Sequence, residues 1–402
     1  MSVLVVTPSV PWPPTHGAAV RNSAFITALA EQHDVDVITL AGARERVRPH
    51  PDARSTAAVR LRRAPLWRRL ANAALGPAPD LVFRHRTPEL RAAVQQRLSA
   101  GGVEAVQVEG LQLAHIVHDV AASTEGERRR PPVVYDAHNV EWRLQSQLAN
   151  LARGARAWHS RRQAALLYGV ERWVVGAADA VTASSAADAA SLVTLGNRSV
   201  AAIPHPVPAP ADLPGTDEEA DQPRVLLAAN FAYRPNILGA EWLFGTVWPA
   251  VLRRVPEAEL RVVGPGSLGL RAIAPARCSV GGLVDDFEGE QRAAWLSTSP
   301  APVGSGAPLK VLQSLAQARP VVVQASGLAG LDGSLNGIAA ADSATAFADA
   351  IVDLLQDHER RREMGRSGHA YIAEHHAPAV TGRALLDVYG GLRDSGLDGG
   401  RE

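Results

Sequence analysis

A chain of 402 residues, 46% hydrophobic and 20% charged, is globular in composition and too long for one ordinary core, which predicts two domains of about 200 residues each. The formal net charge of zero argues against a general nucleic-acid binder. A single Cys278 excludes a disulfide framework and a cysteine-based metal site, as expected of a reducing, cytoplasmic setting.

The opening residues Met1–Val6 lack the basic start of a signal peptide, and no apolar run reaches bilayer length. Val3–Thr7 is short, apolar and β-branched, so it predicts a buried parallel strand. A Pro- and Gly-rich loop follows over Pro8–Gly17. Ala18–Gln32 then has helical spacing, with Val20, Phe25, Ile26 and Leu29 on one side, and Val35–Leu40 completes a β-α-β unit. Arg60, Arg62, Arg63, Arg68 and Arg69 interleave with Leu61, Leu66, Trp67 and Leu70. This stretch reads as a solvated helix face, or as a patch for an anionic acceptor or peripheral membrane contact. Further strands are expected at Ala105–Glu109, Val133–Asp136 and Ala180–Ala183, with helices between them. Repeated β-α units imply a parallel sheet covered on both faces.

Residues 1–205 carry 24 Arg and 17 acidic residues, so the excess of acid lies in the remainder. The stretch from Pro204 to Pro223 holds six prolines and an acidic cluster over Asp217–Asp221, the composition of a linker. The alternation then restarts. Strands are predicted at Val225–Ala229, Leu260–Val263 and Val321–Val323, and helices at Ile237–Val255, Lys310–Gln317, Ala344–Gln356 and Arg360–Glu374. Pro378–Val388 predicts one more helix and Gly390–Gly400 a frayed end. The organisation is thus an N-terminal Rossmann-like domain over 1–205, a linker over 206–223, a second domain over 224–376 and a helical tail over 377–402, able to pack back on the first domain. Two β-α domains around a Pro-rich hinge predict a ligand cleft at the carboxyl ends of their sheets.

The segment from Pro302 to Val323 is the most informative. A Gly304-Ser305-Gly306 turn feeds a helix whose first turn carries Lys310, the sole lysine beside 40 arginines. Freed backbone N–H groups, the positive end of the helix dipole and a compact ammonium together suit a diphosphate. Gln313 lies one turn further, placed to bond a ribose hydroxyl. The plainer reading is a loop and a core helix with Leu309, Leu312 and Leu315 packing inward, and both readings can hold at once.

This segment resembles the nucleotide-sugar motif of retaining glycosyltransferases of family 4, typically Gly-Ser-Gly-x-Arg-x-Lys-x-Leu-Glu followed by Gly-x-Pro-Val-Val. Four other stretches agree in order. Pro14-Thr15-His16-Gly17-Ala18-Ala19-Val20-Arg21 resembles the first glycine loop of that family, and Tyr135-Asp136-Ala137-His138-Asn139-Val140-Glu141 its Asp-x-His-Asn strand end. Asn230-Phe231-Ala232-Tyr233-Arg234-Pro235-Asn236 resembles the start of its nucleotide domain, and Val262-Val263-Gly264-Pro265-Gly266 its Val-Gly-x-Gly turn. The resemblance implies a GT-B fold of two Rossmann-like parallel-sheet domains facing an interdomain cleft. It implies retaining transfer of a sugar from a nucleotide-diphosphate sugar to a glycan, lipid or secondary-metabolite acceptor.

By that resemblance His138 and Lys310 are the catalytic residues. Gly17, Arg234, Gly264, Gly304, Ser305, Gly306, Lys310 and Gln313 hold the donor, with His16 and Arg21 beside the acceptor. No metal or other cofactor is expected, since no Asp-x-Asp stands at a strand end and Lys310 with the helix dipole would take its place. The departures remove polar groups. Pro308 replaces the Arg of the motif, Gln313 its Glu, Ala329 a second Glu, His205 the Asn of a Pro-Asn-Gly-Val stretch and Ala186 the Glu of a Ser-Glu pair. They suit an unusual donor, or a catalytically silent nucleotide-binding relative acting as a partner protein.

Overall fold

The computed structural model describes residues 1–402 except 63, 124–129, 197–198, 214, 216–217, 303–307, 329–330, 332–334 and 398–402. The chain divides into two compact units, Met1–Pro206 joined by Pro378–Glu402, and Val207–Ala377.

In the first unit seven parallel strands run in the order β3-β2-β1-β4-β5-β6-β7. They are β1 (Ser2–Thr7), β2 (Asp34–Ala41), β3 (Ser55–Arg60), β4 (Ala105–Glu109), β5 (Val133–Ala137), β6 (Ala180–Ala183) and β7 (Val200–Ala202). Side chains alternate across a strand, and β1 shows both sides of that alternation buried. Leu4 and Val6 join one core with Ile38, Leu40, Val106 and Val108. Val3 and Val5 join another with Phe25, Ile26 and Leu29 of the helix Gly17–Ala30, and with Leu385 and Tyr389 of the helix Pro378–Leu397. That last helix runs on through Gly390 and Gly391, where the sequence predicts fraying. Leu385 and Tyr389, almost wholly buried on the sheet, hold it through the weak helix formers.

The second unit has six parallel strands in the order β10-β9-β8-β11-β12-β13. These are β8 (Arg224–Ala228), β9 (Glu259–Val263), β10 (Cys278–Gly282), β11 (Leu296–Ser299), β12 (Val321–Val323) and β13 (Ile338–Ala340). The helix expected over Ile237–Val255 is instead α-helical at Arg234–Trp242 and Trp248–Arg254, with a π-helical stretch at Leu243–Val247 between them. Pro249 has no N–H to donate to the preceding turn, and the wider turn absorbs that loss. The Pro-rich stretch is fastened to this unit rather than loose. Val207 N donates to the His376 carbonyl at 2.8 Å, and the Glu219 carboxylate, its side chain 10% exposed, lies 3.6 Å from Arg319 and 3.4 Å from Arg361.

Strand order reverses between β1 and β4 in the first sheet and between β8 and β11 in the second. In open α/β sheets, ligands bind outside the carboxyl ends of the strands at such a reversal.

Candidate functional site

In the first unit, β4 ends at Glu109 and β5 carries Asp136 near its end, and the two residues are register partners on adjacent strands. Two carboxylates side by side in a buried sheet need cations, and the chain supplies two. Arg21, wholly buried on the helix after β1, grips both oxygens of Asp136, Nε to Oδ2 and Nη2 to Oδ1 at 2.7 Å each. Its Nη1 donates to the carbonyls of Ile203 at 2.8 Å and Pro204 at 3.2 Å. Thr182 of β6 donates to the same Asp136 Oδ1. His138, just past β5, places Nε2 2.9 Å from Glu109 Oε2 and 3.4 Å from Asp136 Oδ2, with its side chain 10% exposed. Glu109 is backed by Gln107 Nε2, and Gln107 Oε1 accepts from the Tyr389 hydroxyl at 2.7 Å.

The charges of this cluster settle by proximity. Burial opposes ionisation of Asp136, but the Arg21 guanidinium and its hydrogen bonds outweigh it and hold the carboxyl well below its usual range. Burial likewise opposes a charged His138, but bonds to Asp136 and Glu109 prevail and raise it to about 9. Desolvation, then the charge of Asp136, pushes Glu109 up. With His138 protonated, two cations face two carboxylates. Nε2 is therefore the donating nitrogen toward Glu109, which fixes the orientation of the ring.

Glu109, Asp136 and His138 bring possible ligand atoms within 4.8 Å of one another. They do not fit a metal well, because both Asp136 oxygens are already taken by Arg21, and a second cation there would meet its guanidinium. Arg21 is thus no acceptor contact. Its side chain has no exposed surface to offer, and its donors are spent inside the protein. His16 is exposed but acts as the cap of the helix Gly17–Ala30, its Nδ1 accepting from Ala19 N at 3.0 Å. Gly17 opens that helix directly after the loop from β1.

In the second unit the loops after β8 and β9 lie against each other. Phe231 N donates to the Pro265 carbonyl at 2.7 Å. Gly264 has φ +121, and a Cβ there would sit 2.1 Å from the Ala229 carbonyl oxygen, so only glycine permits this approach. Across the strand-order reversal, the helix Leu309–Ala316 after β11 faces the helix Arg234–Trp242 after β8. Lys310 Nζ donates to Asn236 Oδ1 at 3.1 Å, and Asn236 Nδ2 donates to the Asn230 carbonyl at 2.8 Å. Val311, Leu312, Ser314 and Leu315 bury the inner side of the Lys310 helix, leaving Lys310 and Gln313 half-buried one turn apart. Burial pulls the Lys310 ammonium down to about 8, and among the described residues it has no ion pair. Arg234 is exposed at the first position of its helix, and Pro308 occupies the N-cap position before Leu309. Gly304, Ser305, Gly306 and Ala329 lie outside the described residues.

Sequence reading missed Glu109 and Asn236 as site residues. A Glu-Gly pair closing an apolar strand, Glu109-Gly110, was the available signal for the first. The second closes the Asn230–Asn236 stretch, but only the strand order shows that it meets Lys310.

Residues 222–357 match the family model described as glycosyl transferases group 1. No curated protein sequence matches the chain. Among solved structures, WaaG, a glycosyltransferase involved in lipopolysaccharide biosynthesis, is 15% identical with a TM-score of 0.68, over 96% of this chain and 99% of its own. An α,α-trehalose 6-phosphate synthase from Burkholderia multivorans is 14% identical with a TM-score of 0.67, over 98% and 100%. Alr3699/HepE from Anabaena, solved in complex with UDP, is 13% identical with a TM-score of 0.63, over 97% and 100%. The fold, two Rossmann-like parallel-sheet units, is therefore the GT-B fold of glycosyltransferases.

Proposed function

We propose that this chain is a retaining glycosyltransferase of the family 4 type, taking a sugar from a nucleotide-diphosphate donor held by the second unit to a glycan, lipid or secondary-metabolite acceptor held by the first. The observation that carries the reading is Lys310 against Asn236 at the strand-order reversal of the unit that matches the family model. A lysine half-buried with no carboxylate among the described residues is costly unless an anion arrives, and a diphosphate at this sheet end is such an anion. Its negative charge would favour the ammonium and raise its pKa again, and the ammonium then follows the charge that develops on the leaving phosphate. Gln313, one turn along, suits a ribose hydroxyl, and Arg234 at the opposite helix start suits the diphosphate. In the first unit the His138 imidazolium, anchored through Nε2, supplies a fixed positive charge for the transferring sugar. No metal is assigned a step in this reading, in which Lys310 and the start of its helix carry the charge of the leaving group. The complex of Alr3699/HepE with UDP supports a nucleotide of this class.

The test is thermal stabilisation by UDP, GDP, dTDP and ADP, with and without magnesium, followed by turnover with the sugar of the responding nucleotide. A ligand at 100 times its dissociation constant should stabilise by about 2.7 kcal/mol. A response that requires magnesium would refute the metal-free reading, and no response from any nucleotide would refute the site. Stabilisation without release of nucleotide diphosphate, with every donor and acceptor tried, would favour the silent relative to which Pro308 and Gln313 lend support. Retention is read separately, from the anomeric configuration of the first-formed product.

A further inference from the structure

The helix Leu66–Leu75 is turned inside out. At about 100° per residue, Leu66, Leu70, Ala74, Trp67, Ala71 and Leu75 share one half of its circumference, and Arg68, Asn72 and Arg69 the other. A surface helix ordinarily buries the apolar half. Here Leu66, Trp67, Leu70 and Leu75 are 65%, 69%, 61% and 88% exposed. The side that faces the protein is the one carrying Asn72 and Ala73. Asn72 is buried, its Nδ2 donating to the Ala78 carbonyl at 3.0 Å and to Asp80 Oδ1 at 2.9 Å. Arg162 of the helix Gly154–Ala177 donates to the carbonyls of Ala73 and Gly76. These bonds fix the roll of the helix, so its apolar half has nowhere to go but outward.

Charge says what covers it. Residues 60–79 hold five arginines and no acidic residue, and residues 151–170 four arginines and none. Arg60, Arg62, Arg68, Arg153, Arg156 and Arg161 are exposed. The two stretches are joined through Arg162 and through Gln163, whose Oε1 accepts from Asp80 N at 2.8 Å. One turn before Arg162, Trp158 is 56% exposed. The Arg68 guanidinium lies 5.8 Å from the centre of the Trp67 ring. A second copy of this face would set one arginine cluster against another, which like charges oppose. An acidic lipid surface answers both features, with acyl chains for Leu, Trp and Ala and headgroups for the guanidinium groups. The helix is about 15 Å long, half the span of a hydrocarbon core, so it suits lying in the interface rather than crossing it.

We propose that the helix Leu66–Leu75, with the arginines that flank it, docks the chain on an anionic phospholipid surface. This goes beyond the transfer reaction and does not depend on it, because the assay needs no sugar turnover. The full chain is mixed with vesicles of phosphatidylcholine alone or with an equal part of phosphatidylglycerol, and the bound fraction is measured by flotation. Binding is expected only with phosphatidylglycerol, weakening as salt rises. Trp67→Ser with Leu70→Glu should lower the partition coefficient by about tenfold or more, and Arg62→Gln with Arg68→Gln should weaken binding and flatten its salt dependence. All four side chains are exposed, so the thermal transition should stay unchanged; Leu75→Glu serves as a second probe of the apolar half. No binding to phosphatidylglycerol vesicles at low salt, equal binding to both vesicle types, or binding indifferent to these substitutions overturns the proposal. So does a concentration-dependent dimer that Leu70→Glu abolishes, which would make a second copy the occupant.

Discussion

Replacing Arg21 by Met tests whether the Asp136 cluster is a structural ion network. The substitution keeps the length and apolar stem of the side chain and removes the guanidinium, with its two 2.7 Å bonds to Asp136 and its bonds to the carbonyls of Ile203 and Pro204. Both charged side chains are wholly buried, so solvent offers no compensation. Breaking a buried pair by removing one partner costs about 3–5 kcal/mol, and the neighbouring Glu109 gives no reason to expect the low end. For a unit of this size that corresponds to a fall in the unfolding midpoint of about 6–20 °C. The pH dependence gives a sharper check. In the native protein the Asp136 pKa is depressed, so its contribution is present above the unfolded carboxyl value and is lost as pH falls through the folded one. Without Arg21 the same burial raises that pKa, and protonation relieves the stranded charge. Calorimetry from pH 8 downward should therefore show the gap between native and variant largest near pH 8 and narrowing as acid protonates Asp136 in the variant. A loss under about 1 kcal/mol, or a gap constant with pH, would refute the reasoning, because an uncompensated buried carboxylate allows neither.

Lys310→Ala should abolish measurable transfer, a loss of at least about 10²-fold in kcat, while the thermal midpoint changes little; native-like kinetics would remove Lys310 from the site. His138→Ala should lower kcat by about 10²-fold or more, measured under saturating donor, the scale expected when one preorganised charge no longer faces the transition state. Nucleotide diphosphate affinity should be full below pH 8 and fall as pH rises past it, since Lys310 loses its proton near about 8 in the free protein; titration calorimetry from pH 6.5 to 9.5 reads this, and flat affinity speaks against the ammonium. Gly264→Ala places a Cβ 2.1 Å from the Ala229 carbonyl at φ +121, so the second unit should lose more than about 1 kcal/mol by thermal unfolding.

What the sequence disclosed, and what it hid, follows from which interactions are local. The strands β1, β2, β4, β5 and β8 are nearly uniform apolar runs, and burial on both faces of a parallel sheet leaves that trace in the letters. Five strands left a weaker one. Ser297, Thr298 and Ser299 of β11 are buried yet polar, because Ser297 Oγ accepts from Ser314 at 2.7 Å and Thr298 Oγ1 donates to the Leu226 carbonyl at 3.3 Å, partners no window contains. The edge β3 is mostly exposed, β10 is interrupted by serine and glycine, and β7 and β13, though apolar, are three residues long, too short to stand out as runs. The helix Leu66–Leu75 left two readings open, a solvated face or a binding patch. Arginines interleaved with Leu and Trp do not say which side the buried bonds of Asn72 turn inward.

Arg21 and Lys310 occupy like positions in the fold and differ in what surrounds them. Each stands on the helix that follows a strand at the reversal of strand order, where a ligand anion is expected. Around Arg21 the sheet supplies its own anion: Asp136 takes both ends of the fork, and the remaining donor goes to backbone carbonyls. Around Lys310 the described residues supply the neutral amide oxygen of Asn236 and no carboxylate, and burial draws the ammonium down to about 8. A protein that spends stability on an uncompensated cation keeps it for a charge that arrives from outside, whereas a cation already neutralised within the core has none left to give. Charge balance around the side chain, rather than its place in the motif, therefore separates a cation already committed to the fold, Arg21, from one left open to a ligand, the role proposed for Lys310.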